Sequence, residues 1–398
     1  MTKTKKMLSV VFAGGGTGGH IYPGLAVADS LRALCRKNGE TVRIYWIGNS
    51  SGMDRTVVEN SIGSDGQKSA DFFYGIPSGK LRRYFSLRNF FDVFKIFAGF
   101  VSSFFILLKI KPDVLFSKGG FVSVPPCISA RILGIPVYTH ECDFTPGLAT
   151  RINAKSAKRI LVSYEETAGF FGGPASKKIE VTGNPVRPAF YEASAERGRM
   201  FLGIEKNEKP VLLVLGGSLG ARQINTLVAE NCGWLCERFV VVHQTGEKNT
   251  DADAAERVPA SVRNNYKPYP FIYGEMPDVI ASSDVVLSRA GANSIWECAV
   301  SAKPMLLVPL CGSGTRGDQE DNAAYFEKAG AALVLAGENT VSEKLRACLE
   351  TFLDADVRRQ FGERALALAG NEKPAEKIAA LLYSEAAAEC IGNTGDLL

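Results

Sequence analysis

Apolar residues along the chain come in short β-branched runs, each followed by a longer stretch with helical spacing. In the first half the runs are Leu8–Phe12, Val42–Ile47, Val114–Phe116, Pro136–His140 and Ile160–Val162. Helical patterns follow most of them, as over Tyr22–Cys35 and Val124–Leu133. This alternation predicts parallel βαβ units, because parallel strands need a long crossover and a helix usually supplies it. TGNPVRPAF (Thr182–Phe190) interrupts the series, and a polar, charge-rich segment continues to Pro210. A second series then opens with VLLVLGGSLGARQIN. In each half a strand leads through a glycine-rich turn into a helix, at Gly14 and again at Gly216. The fold class expected is α/β, with two Rossmann-like doubly wound domains joined near Asn184–Phe190. They would face a common cleft, with ligands at the carboxyl ends of the strands.

One segment departs from the alternation. From Gly79 the chain reads GKLRRYFSLRNFFDVFKIFAGFVSSFFILLKIKP, with Phe at 90, 91, 94, 97, 100, 104 and 105 in helical register. The uncharged part, Ile96–Leu108, falls short of the roughly 20 residues that span a bilayer. Phe97–Leu108 is expected as a core helix against the sheet. Lys80, Arg82, Arg83, Arg88 and Lys95 flank the aromatic positions. Leu81–Phe94, with Phe90, Phe91 and Phe94, therefore reads equally as a basic, aromatic surface for anionic lipid headgroups.

Composition narrows the class. The chain has 398 residues, 46% of them hydrophobic, which suits two domains of ordinary size in a soluble globular protein. The net charge of +4 is too small to argue for nucleic acid. The nine cysteines are scattered without a CxxC pair, as expected of free thiols in a reducing compartment. The apolar start, Met7–Ala13, runs straight into the glycine turn rather than into a cleavage site, so a buried first strand is expected there. A loose tail is expected from about Ala386.

The first glycine turn, FAGGGTGGHIYPG (Phe12–Gly24), contains GxGxxG at Gly14, Gly16 and Gly19. A dinucleotide site also needs an acid at the end of the next strand to hold the ribose. That strand ends YWIGNSSG, with no Asp or Glu before Asp54, which disfavours a nicotinamide enzyme. What remains is a turn that admits close backbone approach, and a helix start whose unpaired amides suit an anion. LGGSLGAR offers a second such helix start, with Ser218. SRAGANSIWE (Ser288–Glu297) follows the strand Val285–Leu287 and offers a third. Glu297 lies about a turn into that helix, where it is either a solvated charge or an acceptor for both hydroxyls of a ribose. After the strand Met305–Val308, PLCGSGTRGDQEDNAAYFEKAG brings Asp318, Gln319 and Asn322, whose amides suit sugar hydroxyls. A nucleoside diphosphate sugar would account for the three loops together. Asp251-x-Asp253 looks like a metal-binding DxD but fits acids at the start of a surface helix.

GGGTGGHIYPGLAVA, SKGGFVSVP, THE, TGNPVR, LGGSLGARQIN, SRAGANSIWE and DQEDNA occur in that order from Gly14 to about Gly330. Together they resemble the family of peptidoglycan N-acetylglucosaminyltransferases that make lipid II, the MurG family. The resemblance implies a GT-B glycosyltransferase with an N-terminal acceptor domain (1–186), a donor domain (187–367) and a helix near 368–388 returning to the first. In the GT-B architecture so implied, no catalytic metal and no cofactor are expected. It implies inverting transfer of N-acetylglucosamine from UDP-N-acetylglucosamine to the 4-hydroxyl of lipid I, an undecaprenyl-pyrophosphoryl muramyl-pentapeptide. By the same resemblance the backbone near Ile272 holds uracil and Glu297 the ribose. Ser218, Arg187 and Ala292, Asn293 and Ser294 cover the diphosphate, and Gln319 and Asn322 read the sugar. Thr17, Gly18, Gly19 and Asp143 would also approach the donor. Gly14, Gly15, Gly16, Gly18 and Gly19, with Lys118, Gly119 and Gly120, would take the acceptor pyrophosphate.

An inverting displacement needs a base at the acceptor hydroxyl. Of the three histidines, His20 matches the family's proposed base, with capping of its own loop as the alternative. His140 could orient the sugar, and His243 is expected to be structural. The implied location is the cytoplasmic face of the inner membrane, held peripherally through Lys80, Arg82, Arg83, Phe90, Phe91 and Phe94, with cell-wall synthesis proteins as further partners. Two departures stand out: Cys142 and Asp143 replace two amides of the family's His-Glu-Gln-Asn, and Asp318 stands where His or Gln is usual. A UDP-N-acetylglucosamine 2-epimerase and a non-catalytic UDP-sugar-binding protein remain as alternatives. The first would use similar donor loops but has no need of an acceptor loop or a membrane-facing patch.

Overall fold

The computed structural model describes residues 7–63, 65–79, 87–204, 209–217, 220–246, 258–312 and 315–392. The chain divides into two compact units, Met1–Arg187 with Lys373–Leu398, and Pro188–Glu372.

The first unit is a seven-stranded parallel sheet. Its strands are β1 (Met7–Ala13), β2 (Thr41–Asn49), β3 (Phe72–Ile76), β4 (Val114–Ser117), β5 (Val137–Glu141), β6 (Arg159–Val162) and β7 (Ile179–Val181), in the order β3-β2-β1-β4-β5-β6-β7. Along β1, Val10 and Phe12 enter one core with Trp46, while Val11 and Ala13 enter the other with Ile47 and Leu115. Both faces are covered, so the central strands are apolar at nearly every position. The five runs expected from sequence are all strands. The two that were missed, β3 and β7, are the edge strands.

Helix α1 (Gly18–Lys37) begins four residues earlier than its apolar periodicity predicts, which puts His20 inside its first turn. Pro23 lies inside the helix, at its sixth residue, where its ring removes the hydrogen bond an amide there would donate to the Gly19 carbonyl. Gly24 lets the helix close on the sheet, since a Cβ there would lie 2.6 Å from Trp46. The terminal helix Pro374–Gly392 buries Ala375, Ile378, Ala379, Leu382 and Ala386 in the same core as Val10 and Phe12. Tyr138 donates a hydrogen bond to Glu385 (2.9 Å), which also pairs with Lys158. The loose tail expected from Ala386 is thus corrected: a buried alanine and a continuous helix carry order to Gly392.

The second unit repeats the plan with β8 (Val211–Leu215), β9 (Val240–Gln244), β10 (Tyr266–Tyr269), β11 (Val285–Ser288), β12 (Met305–Leu307) and β13 (Ala332–Val334), ordered β10-β9-β8-β11-β12-β13. His243 on β9 is buried between Tyr266 Oη (3.0 Å from Nδ1) and Asn225 Oδ1 (3.2 Å from Nε2). It is structural, as expected. Burial lowers its pKa from 6.5 to about 4.

Helix α3 (Leu87–Ile110) departs from expectation. Leu107 and Ser103 are buried, but Phe97 is 65% and Phe105 63% exposed, with Val93, Val101 and Leu108 on the same outward side. Phe97–Leu108 is therefore not a core helix. Phe94, Phe97 and Phe105 face outward and Phe100 and Phe104 are half-buried, while the side chains of Phe90 and Phe91 lie outside those described. Asp92–Ile110 is also long and apolar enough, by length and composition, to cross a membrane, although Ile96–Leu108 alone is not. Lys80, Arg82 and Arg83 lie outside the described residues.

Two measurements test this packing. Ile378→Ala should cost about 2–5 kcal/mol of stability in a denaturant titration, the range for emptying a filled core site. Between pH 6.5 and 4 the unfolded chain protonates position 243 while the folded chain resists, so this contribution to stability falls as pH falls through that window. In His243→Gln, the loss of urea midpoint from pH 7.5 to pH 5 should be smaller than in wild type.

Candidate active site

In each unit the strand order reverses beside the first strand, between β1 and β4 and between β8 and β11. Loops leaving such a pair diverge to opposite faces and open a crevice at the carboxyl edge. In the first unit that edge carries both glycine turns, Gly14–Gly19 after β1 and Lys118–Gly120 after β4.

The first turn is held by a residue that composition and motif did not single out. Both carboxylate oxygens of Asp54 lie 2.9 Å from the Gly16 amide, and Oδ2 also accepts from Asn49 N (2.8 Å). Gly16 itself has φ +84° and packs under Phe121, so a side chain there is excluded twice. In the second turn Gly119 and Gly120 have φ of +81° and +76°. Ser117 Oγ accepts from Gly119 N (3.2 Å), Ser123 Oγ donates to Gly120 O (2.9 Å), and Asn153 Nδ2 donates to both serines. The two turns meet at His20. A Cβ on Gly120 would fall 2.8 Å from His20 Cδ2, and one on Gly119 would fall 3.8 Å from its Nδ1. The half-buried imidazole is thus fixed against bare backbone.

Beneath this junction lies Lys118, only 2% exposed. Its ammonium sits beside His140 and the Cys142 thiol and has no hydrogen-bond partner of good geometry among the described residues. A buried cation without a matched acceptor is costly, and an arriving anion relieves that cost. His140 is fully buried, and its Nε2 lies 3.0 Å from the Gly183 carbonyl, to which it donates. Burial first, and the Lys118 charge second, hold its pKa well below 6.5. The expectation that His140 orients a sugar is corrected: it ties β5 to the Gly183 segment. Glu141 caps the next loop by accepting from Cys142 N (3.0 Å), Asp143 N (3.2 Å) and Gly147 N (2.9 Å). Glu141, Cys142 and Asp143 lie close enough together to suggest a metal site. The chemistry of the set does not fit one, because Glu141 is saturated by amides, burial pushes the Cys142 thiol up to about 12, and Lys118 stands alongside. Asp143 is half-buried on that loop. Arg187, the last residue of the unit's first segment, places its guanidinium 5.2 Å over the Tyr22 ring.

In the second unit, Ser218 and the Asp251-x-Asp253 pair lie outside the described residues. Glycines with positive φ at 217 and 220 flank the gap at Ser218, ahead of the helix Arg222–Arg238. The helix Ala292–Val300 starts from a Gly291 N-cap, with Asn293 and Ser294 half-buried in its first turn and Glu297 further along. Arg289 Nη1, not singled out from sequence, donates to Gln223 (2.8 Å) and to the Val308 (3.0 Å) and Pro309 carbonyls, joining three loops. Gln319 Oε1 accepts from Leu310 N (2.9 Å). Asn322 is fully buried and donates to Ala290 O (3.2 Å), a bond that buttresses the Arg289–Ala292 turn. The Ile272 amide is likewise engaged, by Gln244 Oε1 at 3.0 Å.

The Glycosyltransferase family 28 N-terminal domain matches residues 10–162, and the Glycosyltransferase family 28 C-terminal domain matches residues 211–380. A protein of Treponema denticola named "UDP-N-acetylglucosamine--N-acetylmuramyl-(pentapeptide) pyrophosphoryl-undecaprenol N-acetylglucosamine transferase" is 52% identical, over 95% of this chain and 98% of its own. A Bacillus cereus protein of the same name, numbered 2, is 39% identical over 85% of this chain and 90% of its own. Among solved structures, Acinetobacter baumannii MurG superposes with a TM-score of 0.69 at 23% identity, covering 95% of this chain and 99% of that one. UDP-GlcNAc 2-epimerase from Neisseria meningitidis superposes at 0.61 and 14% identity, covering 95% and 99%, a likeness of fold alone. The chain belongs to glycosyltransferase family 28, among its N-acetylglucosamine transferases of the MurG type.

Proposed function

We infer that this protein transfers N-acetylglucosamine from UDP-N-acetylglucosamine to the 4-hydroxyl of lipid I, with inversion, to give lipid II. The observation that carries the reading is the junction in the first unit, where His20 is clamped between two glycine turns above a buried ammonium. An acceptor bearing a pyrophosphate and a hydroxyl to be deprotonated matches that pairing of cation and base. On this reading Lys118 and the amides of Thr17–Gly19 receive the pyrophosphate. His20 takes the proton of the acceptor hydroxyl as its oxygen attacks the anomeric carbon and UDP departs. In the donor domain the helix starts near Ser218 and at Ala292–Ser294 face the diphosphate and Glu297 the ribose. Arg187 adds positive charge for the leaving group. Gln319 and Asn322 act by holding the loops around the sugar, and the Ile272 carbonyl is the group left for the base. A 2-epimerase shares the fold but leaves the Lys118 pocket without a task.

The outward face of α3 supports peripheral attachment to an anionic lipid surface. Phe94, Phe97, Val101, Phe105 and Leu108 are exposed together, and exposed Lys95, Lys109 and Lys111 border them. Apolar side chains that enter the headgroup region, ringed by lysines that meet phosphate, make an interfacial anchor.

With a short-chain lipid I analogue, His20→Ala should lower kcat by about 10²–10⁴-fold, the usual contribution of a general base, with little change in donor KM. Transfer at the wild-type rate would remove His20 as the base, and conversion of the donor alone to its manno epimer would overturn the transferase reading. The pair Phe97→Glu and Phe105→Glu should lose at least about ten-fold in partitioning onto vesicles of anionic phospholipid, since each buried Phe is worth about 1.5–3 kcal/mol. Turnover of the short-chain acceptor in solution should persist. Undiminished vesicle binding would refute the anchor.

A further inference from the structure

We propose that Asp54 is a positioning residue for the acceptor side of the transfer: its carboxylate occupies the anion-receiving amide of the Gly14–Gly19 turn and so sets where His20 sits in the first turn of α1. The proposal rests on the reading of that turn as the acceptor side, given above.

Asp54 opens the short helix α2 (Asp54–Glu59) and is 1% exposed. Its oxygens take the Gly16 amide twice, at 2.9 Å, and the Asn49 amide once, at 2.8 Å. A Cβ on Gly15 would lie 1.7 Å from Oδ2, so Gly15 is bare to admit this carboxylate rather than a ligand. In a dinucleotide-binding unit the acid after the second strand faces a ribose. Here the acid in that region turns back onto the glycine turn and fills it from inside. The next residue after Gly16 is Thr17, the N-cap of α1, whose carbonyl accepts from His20 N (3.1 Å). Few bonds separate the anchored amide from the imidazole, and the Gly16 conformation at φ +84° is the pivot between them. An internal negative charge at Gly15–Gly16 also repels phosphate from that half of the turn. The entering anion is left to the Thr17–Gly19 amides and to Lys118.

The test compares wild type, Asp54→Ala, Asp54→Asn and His20→Ala with UDP-N-acetylglucosamine and a soluble lipid I analogue, with and without sodium formate, while thermal midpoints are recorded. Asp54→Ala should lose about thirty-fold or more in kcat/KM for the acceptor while the donor KM stays within about three-fold. Formate, an anion small enough for the vacated nest, should restore about five-fold or more, and chloride at equal ionic strength should not. Asp54→Asn, which keeps the size and one acceptor oxygen, should fall between the two. If Asp54→Ala does not fold, Asp54→Asn carries the same acceptor-selective comparison. Acceptor kinetics within two-fold of wild type would overturn the proposal. So would donor and acceptor constants falling together with the midpoint, without formate recovery, because that is the signature of a fold residue only. A fully active His20→Ala would instead bring down the reading of the turn. An inactive His20→Ala beside an unimpaired Asp54→Ala would sink the Asp54 proposal alone.

Discussion

A parallel sheet delivers all its outgoing loops to one edge, and a reversal of strand order makes two of them diverge. Everything specific about the first unit follows from this constraint acting on β1 and β4. The loops after those strands leave side by side, one carrying Gly14–His20 and the other Lys118–Gly120. They can share an imidazole only if neither presents a side chain at the contact. The same reversal between β8 and β11 brings Gly216–Gly217 and Arg289–Ala292 to one edge of the second unit. There Arg289 holds the loops together through the Val308 and Pro309 carbonyls and Gln223. Two copies of one topological device thus supply two sets of backbone amides.

The parts of this arrangement legible in the sequence are those written as patterns. Central strands covered on both faces are continuous apolar runs, so Leu8–Phe12 and Val114–Phe116 could be read directly. β3 and β7 could not: an edge strand such as Ile179–Val181 is three residues long and only partly buried, with too little apolar pattern to distinguish it. The glycine turns were legible as turns, but the purpose of individual glycines was not. Gly15 makes room for Asp54, Gly16 for Phe121 and Gly120 for His20. Each requirement comes from a residue distant in sequence, which no local motif encodes. Asp54 was noticed only as an acid that came too late for a ribose. Its actual partners, the Gly16 and Asn49 amides, emerge only when β2 is laid beside β1.

Buried polar groups show the same limit from the side of electrostatics. The motif SKGGFVSVP marks Lys118 only through the family resemblance, and burial is what sets it physically apart from the solvated lysines. Around it the unit keeps its other groups neutral or satisfied. His140 is held uncharged by burial and by the lysine itself, the Cys142 thiol is pushed up to about 12, and Glu141 is consumed by three backbone amides. Asn322 and Gln319 each have a backbone partner, through the Ala290 carbonyl and the Leu310 amide. Their amides looked suited to sugar hydroxyls, but a side-chain amide serves backbone carbonyls and N–H groups equally well. Composition cannot tell a ligand contact from a loop tether.

For the lipid attachment proposed above, the inner face of helix α3 favours lying on a bilayer over crossing one. A Cβ on Gly99 would lie 2.3 Å from the Pro77 carbonyl, and one on Gly79 would lie 2.3 Å from the Asp92 carbonyl. Ser129 Oγ donates to the Phe100 carbonyl at 3.2 Å, and Ser103 and Leu107 are buried. Such close backbone contacts bind the helix to the sheet domain along much of its length. To span a bilayer it would have to give them all up and expose Asp92 and Lys95 to hydrocarbon, at a cost of several kcal/mol. Lying in the interface costs none of this, because Phe97, Val101 and Phe105 already face outward.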